Sequence, residues 1–376
     1  MTKYNFILLS LLLLIGASCG EVADGGVFKS YDGGESWEQK TFISQEGRKK
    51  TTISDVNIAT TVAHPNDSNI IYIGTNGNGM YTTLDGGETW VQSQINNGSV
   101  TSIAFDPKNP ETIYVAKNTT IMKTVDGGET WENVYSDVKA SKVNVIVVDS
   151  YDTSRIYAST SAGTIIKSYD YGINWDLHLQ IENPVVEMLM APYNTRIIYA
   201  LTSEGVLYKT TNGGEALVTP DELDEQEEID TAGGTNSGWD KLLAKDFKEK
   251  FDGAGRVYDV ALDPNDFRIV YIVTSRGILR SYNEGLDWED ITTLIGFKDK
   301  QNKNIRHLTV APKDSETIYF VVGKKIHVST DNGNAWKTLE SFPTTRSVTS
   351  FLIDQDAPNV IYIGTELVES SGGLIK

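Results

Sequence analysis

Thr83-Leu-Asp-Gly-Gly-Glu-Thr-Trp90 decides how this chain is read, because it recurs. Ser30-Tyr-Asp-Gly-Gly-Glu-Ser-Trp37 and Thr124-Val-Asp-Gly-Gly-Glu-Thr-Trp131 are close copies. Ser168-Tyr-Asp-Tyr-Gly-Ile-Asn-Trp175, Ser281-Tyr-Asn-Glu-Gly-Leu-Asp-Trp288 and Ser329-Thr-Asp-Asn-Gly-Asn-Ala-Trp336 are weaker ones. The chemistry is that of a hairpin turn. Asp32, Asp85, Asp126, Asp170, Asn283 and Asp331 are placed to cap the turn backbone, with a Ser or Thr hydroxyl assisting. Glycine supplies a positive φ. Each Trp opens the next strand and packs its ring beneath the hairpin.

A seventh copy is interrupted. Thr210-Thr-Asn-Gly-Gly214 begins the turn around Asn212, and Trp239-Asp-Lys-Leu-Leu243 looks like the strand that follows the other copies. Residues 215–238 then read as an insertion that splits the turn. An amphipathic helix from Trp239 to Phe251 is the alternative. The Trp count favours the split turn, because it gives each of seven copies one of the seven Trp.

Working outward, three further strand-like runs accompany each copy. Val100 to Phe105, Thr112 to Ala116 and Ile121 to Thr124 precede one copy; Val257 to Leu262, Val270 to Thr274 and Ile278 to Ser281 precede another. Successive Trp are 53, 41, 44, 64, 49 and 48 residues apart, and removing the 24-residue insertion reduces 64 to 40. Four strands per repeat at this spacing predict an all-β, seven-bladed β-propeller. The ring would close in one blade, from Gly26 to Ser30 and Trp37 to Phe42 at the N-terminus and Val348 to Ile353 and Val360 to Gly364 at the C-terminus. Closure removes the open edges. A leftover strand-like run, Gly372 to Lys376, competes with Gly26 to Ser30 for the same slot.

These motifs resemble the Asp-box (BNR) repeat of sialidases, xyloglucanases, sortilin-type receptors and the photosystem II stability/assembly factor. The resemblance spans nearly all of residues 26–376 and implies the propeller fold rather than one activity. The photosystem II factor is likewise a single seven-bladed ring, lipid-anchored in some members, and presents an arginine-rich patch to a polypeptide. By that resemblance, Arg256, Arg306 and Arg346 could be a counterpart.

The N-terminus reads as an address. Residues 1–18 pair a basic Lys3 with an apolar run from Phe6 to Ile15, too short to span a bilayer and suited to a signal peptide. The chain's one Cys, Cys19, follows Gly16-Ala17-Ser18 as in a bacterial lipoprotein signal. The expected product is an extracytoplasmic, membrane-anchored lipoprotein with a short tether over residues 19–25.

A net charge of −18, from 51 acidic and 33 basic residues, argues against a nucleic-acid partner. A single Cys excludes a disulfide framework and Cys-based metal centres. The four histidines, His64, His178, His307 and His327, show no metal-ligand spacing, and no phosphate loop is present. No cofactor and no metal are expected, and the chain reads as a monomer.

In each blade the repeated turns should share a face with the first-to-second turns. The opposite loops carry much of the basic charge, including Arg48, Lys49, Lys50, Lys139, Lys142, Arg256, Arg276, Lys298, Lys300, Lys303, Arg306 and Arg346. The acidic run Asp221 to Asp230 falls on the side of the repeated turns, which predicts a dipolar ring. Aligned first strands put Glu187, Asp259 and His307 at equivalent positions beside the channel. Paired carboxylates suit glycoside hydrolysis, although channel walls of propellers are commonly polar. Sialidases carry an Arg-Ile-Pro motif ahead of the first repeat, and nothing like it precedes Asp32. The leading expectation is a non-enzymatic scaffold that binds a polypeptide through Lys142, Arg256, Arg276, Arg306, His307 and Arg346. A glycan-active hydrolase built on Glu187 and Asp259 is the alternative, and a purely structural surface protein the third.

Overall fold

The second strand of each blade carries a buried, largely apolar run, and in Ile156–Thr160 and Val270–Thr274 every residue is buried. A strand covered on both faces needs sheets on both sides. Radial stacking of twisted sheets supplies them. The computed structural model describes residues 24–215, 238–243, 247–252, 254–291, 305–323, 325–340 and 343–367. Among these residues there are seven four-stranded antiparallel sheets and one two-stranded hairpin. The blades are 1 (residues 58–92), 2 (100–136), 3 (143–180), 4 (185–241), 5 (257–290), 6 (305–339) and 7 (347–366 joined to 27–39). First strands neighbour one another around the channel. Fourth strands are short and outermost, such as Glu38–Gln39 and Val91–Gln92, both exposed.

The ring closes as the sequence predicts. Val27–Ser30 pairs antiparallel with Ile361–Glu366, in the register Val27 with Gly364 and Ser30 with Ile361. The slot for a third strand in blade 7 is therefore filled from the N-terminus, and residues 372–376 lie outside the described residues. The core is sliced between blades. At the joint of blades 4 and 5, Tyr199, Leu201 and Leu207 pack with Val257, Ile272, Leu279 and Trp288.

Blade 4 is completed across the interruption. Asp240 pairs with Lys209 and Lys241 with Tyr208, and Trp239 is 1% exposed beneath the turn. The alternative helix from Trp239 to Phe251 is thereby excluded over its first turn; the helix found spans only Phe247–Lys250. The acidic run 221–230 lies outside the described residues. One element was not foreseen: the basic loop after blade 7 is a hairpin, Phe42–Glu46 with Lys49–Thr52, turning at Gly47 with φ +60°.

Candidate functional site

The repeated turn is a closed hydrogen-bond unit. In blade 1 the Thr83 hydroxyl donates to Asp85 at 2.7 Å and accepts the Gly87 N–H at 3.0 Å. Asp85 in turn accepts the Thr89 N–H at 2.9 Å and hydroxyl at 2.5 Å. The same bonds recur at Asp32, Asp126 and Asp170. Hydroxyls of Thr124 and Thr130 hold the Asp126 carboxyl down at about 2. Asp32, Asp170 and Asp331 are also lowered, chiefly by the Ser36 hydroxyl, the Asn174 N–H and the Ala335 N–H. Below the turn, Trp37, Trp131, Trp175 and Trp336 each donate their indole N–H to the second glycine's carbonyl at 3.0–3.1 Å.

The residue before that glycine locks blade to blade, a role the sequence reading missed. Its N–H donates to the first-to-second turn of its own blade, as in Gly86 to Asn69 O at 2.9 Å and Gly213 to Arg196 O at 2.8 Å. The repeated turns and first-to-second turns therefore share a face, as predicted. Its carbonyl accepts from the preceding blade. Lys29 and Tyr362 donate to Gly86 O, Lys123 and Tyr114 to Tyr171 O, and Lys209 and Tyr199 to Glu284 O, all at 2.9–3.2 Å. Each ammonium also lies 5.0–5.8 Å from the centroid of the same Tyr ring. Lys167 and Arg280 take the same place in blades 3 and 5. A Lys or Arg directly before the Ser or Thr of the turn was the available signal.

In the channel, the first strands of all seven blades slip register near their starts, for example between Val185 and Glu187 and between Val257 and Asp259. Such a bulge re-aims side chains. It brings Glu187 and Asp259 together, within hydrogen-bonding reach of each other. Asp259 also accepts the Leu308 N–H at 2.5 Å. Protein surrounds both carboxyls while leaving them partly open to the channel. Burial, then the Asp259 charge, pushes Glu187 well above the ordinary glutamate range. Burial raises Asp259 as well, against the opposing pull of the His307 charge and the Leu308 N–H. Two raised carboxyls in contact favour holding one proton between them. His307, with φ +55°, contacts Val348 O through Nε2 at 3.0 Å. Thr101, Asn144 and Thr349 reach the next blade's first strand in the same way. Among the described residues no group of three or more His, Cys, Asp or Glu could hold a metal ion.

The expected binding residues divide. Arg346 corrects the reading: it is 8% exposed and held between Asp24, at 3.4 Å, and Asp55, at 3.7 Å. It fastens the N-terminal entry to the ring instead of facing solvent. Arg276 is engaged by Asp290 at 2.7 Å and by Asp252 O. Arg256 is exposed beside Ser203 O, and Lys142 is exposed. Lys139 is exposed on the same face, and Arg48, Lys49 and Lys50 are exposed on the hairpin. That face is shared by the second-to-third turns and the fourth-to-first loops, which bond each other, as in Ser161 N–H to Lys142 O at 2.7 Å and Val257 N–H to Gly205 O at 3.0 Å. The Arg306 side chain, Cys19, Lys298, Lys300 and Lys303 lie outside the described residues. No helix among the described residues is long and apolar enough to cross a membrane.

Residues 94–222 match the sequence pattern of the family described as photosynthesis system II assembly factor YCF48. Over 138 residues the chain is 34% identical to the xyloglucanase Xgh74A of Acetivibrio thermocellus, covering 29% of this chain and 16% of that protein. The chain thus corresponds to about a sixth of the length of that curated relative. Among solved structures, one described as YCF48 bound to D1 peptide matches with TM-score 0.58 and 15% identity, over 84% of this chain and 94% of that one. A GH74 xyloglucanase from Xanthomonas campestris matches with TM-score 0.61 and 13% identity, over 82% of this chain and 51% of that one. The resemblance to BNR-type propellers holds in sequence and in fold.

Proposed function

We propose that this propeller is a non-enzymatic scaffold that takes a polypeptide on the face opposite the repeated turns. The observation that carries the reading is a set of exposed cations on that face. Lys139, Lys142 and Arg256 keep exposed side chains there. These can meet an acidic segment of a partner even though the whole chain is negative. The peptide-bound YCF48 ring, of matching length, supports the same mode of use.

The hydrolase reading rests on the xyloglucanase matches and on Glu187 and Asp259. Their contact speaks against it. Retaining glycosidases hold their carboxyls about 5–5.5 Å apart and inverting ones about 6.5–9.5 Å apart. Carboxyls within hydrogen-bonding reach of each other are closer than either arrangement requires.

We infer further that Cys19 is lipidated and the protein lies outside the cytoplasm. Asp24 accepts hydrogen bonds from Thr344 and Thr345 in a fourth-to-first loop, so the chain enters on the proposed binding face. An anchor there would turn that face toward the bilayer. The test is capture from membrane extract by the full chain in detergent, beside a Lys142→Glu/Arg256→Glu variant and a Cys19→Ser variant. A polypeptide retained by the wild type and lost by the double variant is expected, with Cys19→Ser leaving the membrane fraction. Xyloglucan cleavage that disappears in Glu187→Gln would overturn the scaffold reading.

A further inference from the structure

On the face of the repeated turns, blades 3 and 4 form an open cleft of about 630 Å³ between their first-to-second turns. It runs through Thr195 and Arg196 into a second hollow of about 360 Å³. The two turns differ in a telling way. In blades 2, 3, 5 and 7 an Asp opens the turn and accepts the N–H two residues on at 2.8 Å, as at Asp106, Asp149, Asp263 and Asp354. Blade 4 has Ala191 at that place. Tyr193 then adopts φ +65° and stands 81% exposed. A bulky residue in the left-handed region carries strain, and strain of this kind gathers at working surfaces. Across the cleft, Tyr151 is 79% exposed. Two large rings thus face water on either side of a hollow.

Much of the turn backbone there is already bonded within the turns. The Tyr151 and Asp152 N–H groups bond Asp149, the Arg155 N–H bonds Asp152 O and the Ile197 N–H bonds Asn194 O. The nearby carboxylates are engaged too: Asp149 and Asp152 with Arg155, and Glu215 with Lys167. What remains are ring faces and donors. Among the described residues, the Tyr151 and Tyr193 hydroxyls, the Asn194 amide and the Arg196 guanidinium make no hydrogen bond or ion pair, and the Lys108 ammonium lies 5.7 Å from the Tyr151 ring. A ligand matched to this site stacks on the tyrosine rings and carries a negative charge for Arg196.

We propose that this cleft binds a proline-rich polypeptide segment in the polyproline II conformation, with a carboxylate beside the prolines. Proline has no N–H to satisfy and holds its carbonyls outward, while its ring packs on tyrosine. Arg196 takes the carboxylate in a bidentate pair. A neutral saccharide fits worse, because it brings no carboxylate for Arg196. The site lies on the face opposite Lys142 and Arg256, so it does not depend on the scaffold reading above.

The experiment is fluorescence anisotropy of the full chain in detergent with labelled decaproline, decaproline ending in Glu, and a Gly-Ser peptide of equal length. Saturable micromolar binding of both proline peptides is expected, tighter for the Glu form, with none for Gly-Ser. Tyr151→Ala and Tyr193→Gly should each weaken it tenfold or more. Tyr193→Gly should also raise the melting temperature, since it relieves the strain, and this separates lost binding from lost folding. Arg196→Gln should remove only the preference for Glu, and Lys142→Glu/Arg256→Glu should change nothing. No saturation at millimolar peptide overturns the proposal. So does binding indifferent to Tyr151 and Tyr193, or a Tyr-dependent preference for xyloglucan oligosaccharide over the proline peptides.

Discussion

Glu187 shows how one residue's surroundings set its chemistry. Burial and the Asp259 charge raise its affinity for the proton, so the folded state favours the neutral acid. The unfolded chain releases that proton near the ordinary glutamate value of about 4.3. Stability from this group is therefore full below that value and is lost as pH rises through the raised folded value. Glu187→Gln mimics the neutral acid at every pH. Its melting temperature should exceed the wild type's by a few degrees at pH 8, and the two should converge near pH 4.5. A gap that stays constant across that range in a thermal-shift series would contradict the shared proton. Lys209 illustrates the other residue-scale theme. Its ammonium lies 2.9 Å from the Glu284 carboxylate, over the Tyr199 ring, in a buried joint. Lys209→Met leaves Glu284 and its carbonyl without that donor and should cost about 1–3 kcal/mol in denaturant unfolding.

At the scale of the element, the repeated turn was read correctly because its chemistry is local. Four residues separate each Asp from the N–H it caps, and no distant partner is needed to fix the bond. The blade-to-blade clasp was missed for the converse reason. Lys29 and Gly86 are 57 residues apart, and a Lys before a Ser looks like any solvated side chain until the next blade is in place. The turn aspartates make a testable pH signature. Their folded values are depressed, so the stability they contribute is full above about 3.9 and lost as pH falls toward about 2. Asp126→Ala, by analogy with loss of a helix cap, should lower the urea midpoint at pH 7. That loss should shrink as pH falls to about 2 and below, where the wild-type carboxylate takes up its own proton. Urea unfolding followed by Trp fluorescence at both pH values measures it.

For the whole molecule, closure is what turns seven sheets into one ring. Val27–Ser30 is held by four residue pairs to Ile361–Glu366, more than three hundred residues away, and Arg346 adds its tie to Asp24. A chain ending at Asp354 removes the partner strand and leaves two edges of blade 7 unpaired. It should elute as aggregate in size-exclusion chromatography and lose its cooperative thermal transition. A monomeric, cooperatively melting product would show that the ring stands without this blade.

The repeat, its sevenfold count, the split turn at 214 and 239 and the joined blade were all legible in the chain. Period, turn chemistry and strand patterning are short-range properties, and each survives translation into space unchanged. The functional surfaces were only half legible. The equivalence of Glu187, Asp259 and His307 followed from strand alignment, yet their contact depends on a bulge and on the channel radius. Arg346 looked like its neighbours in charge but is buried by a salt bridge to Asp24, a residue 322 positions distant. Tyr151 and Tyr193 carried no motif at all, and two turns from different blades had to be set side by side before a cleft existed between them. Local bonds are written in neighbouring residues; which cation stays free, which carboxyls meet and which rings face each other depend on packing between blades, and packing is long-range.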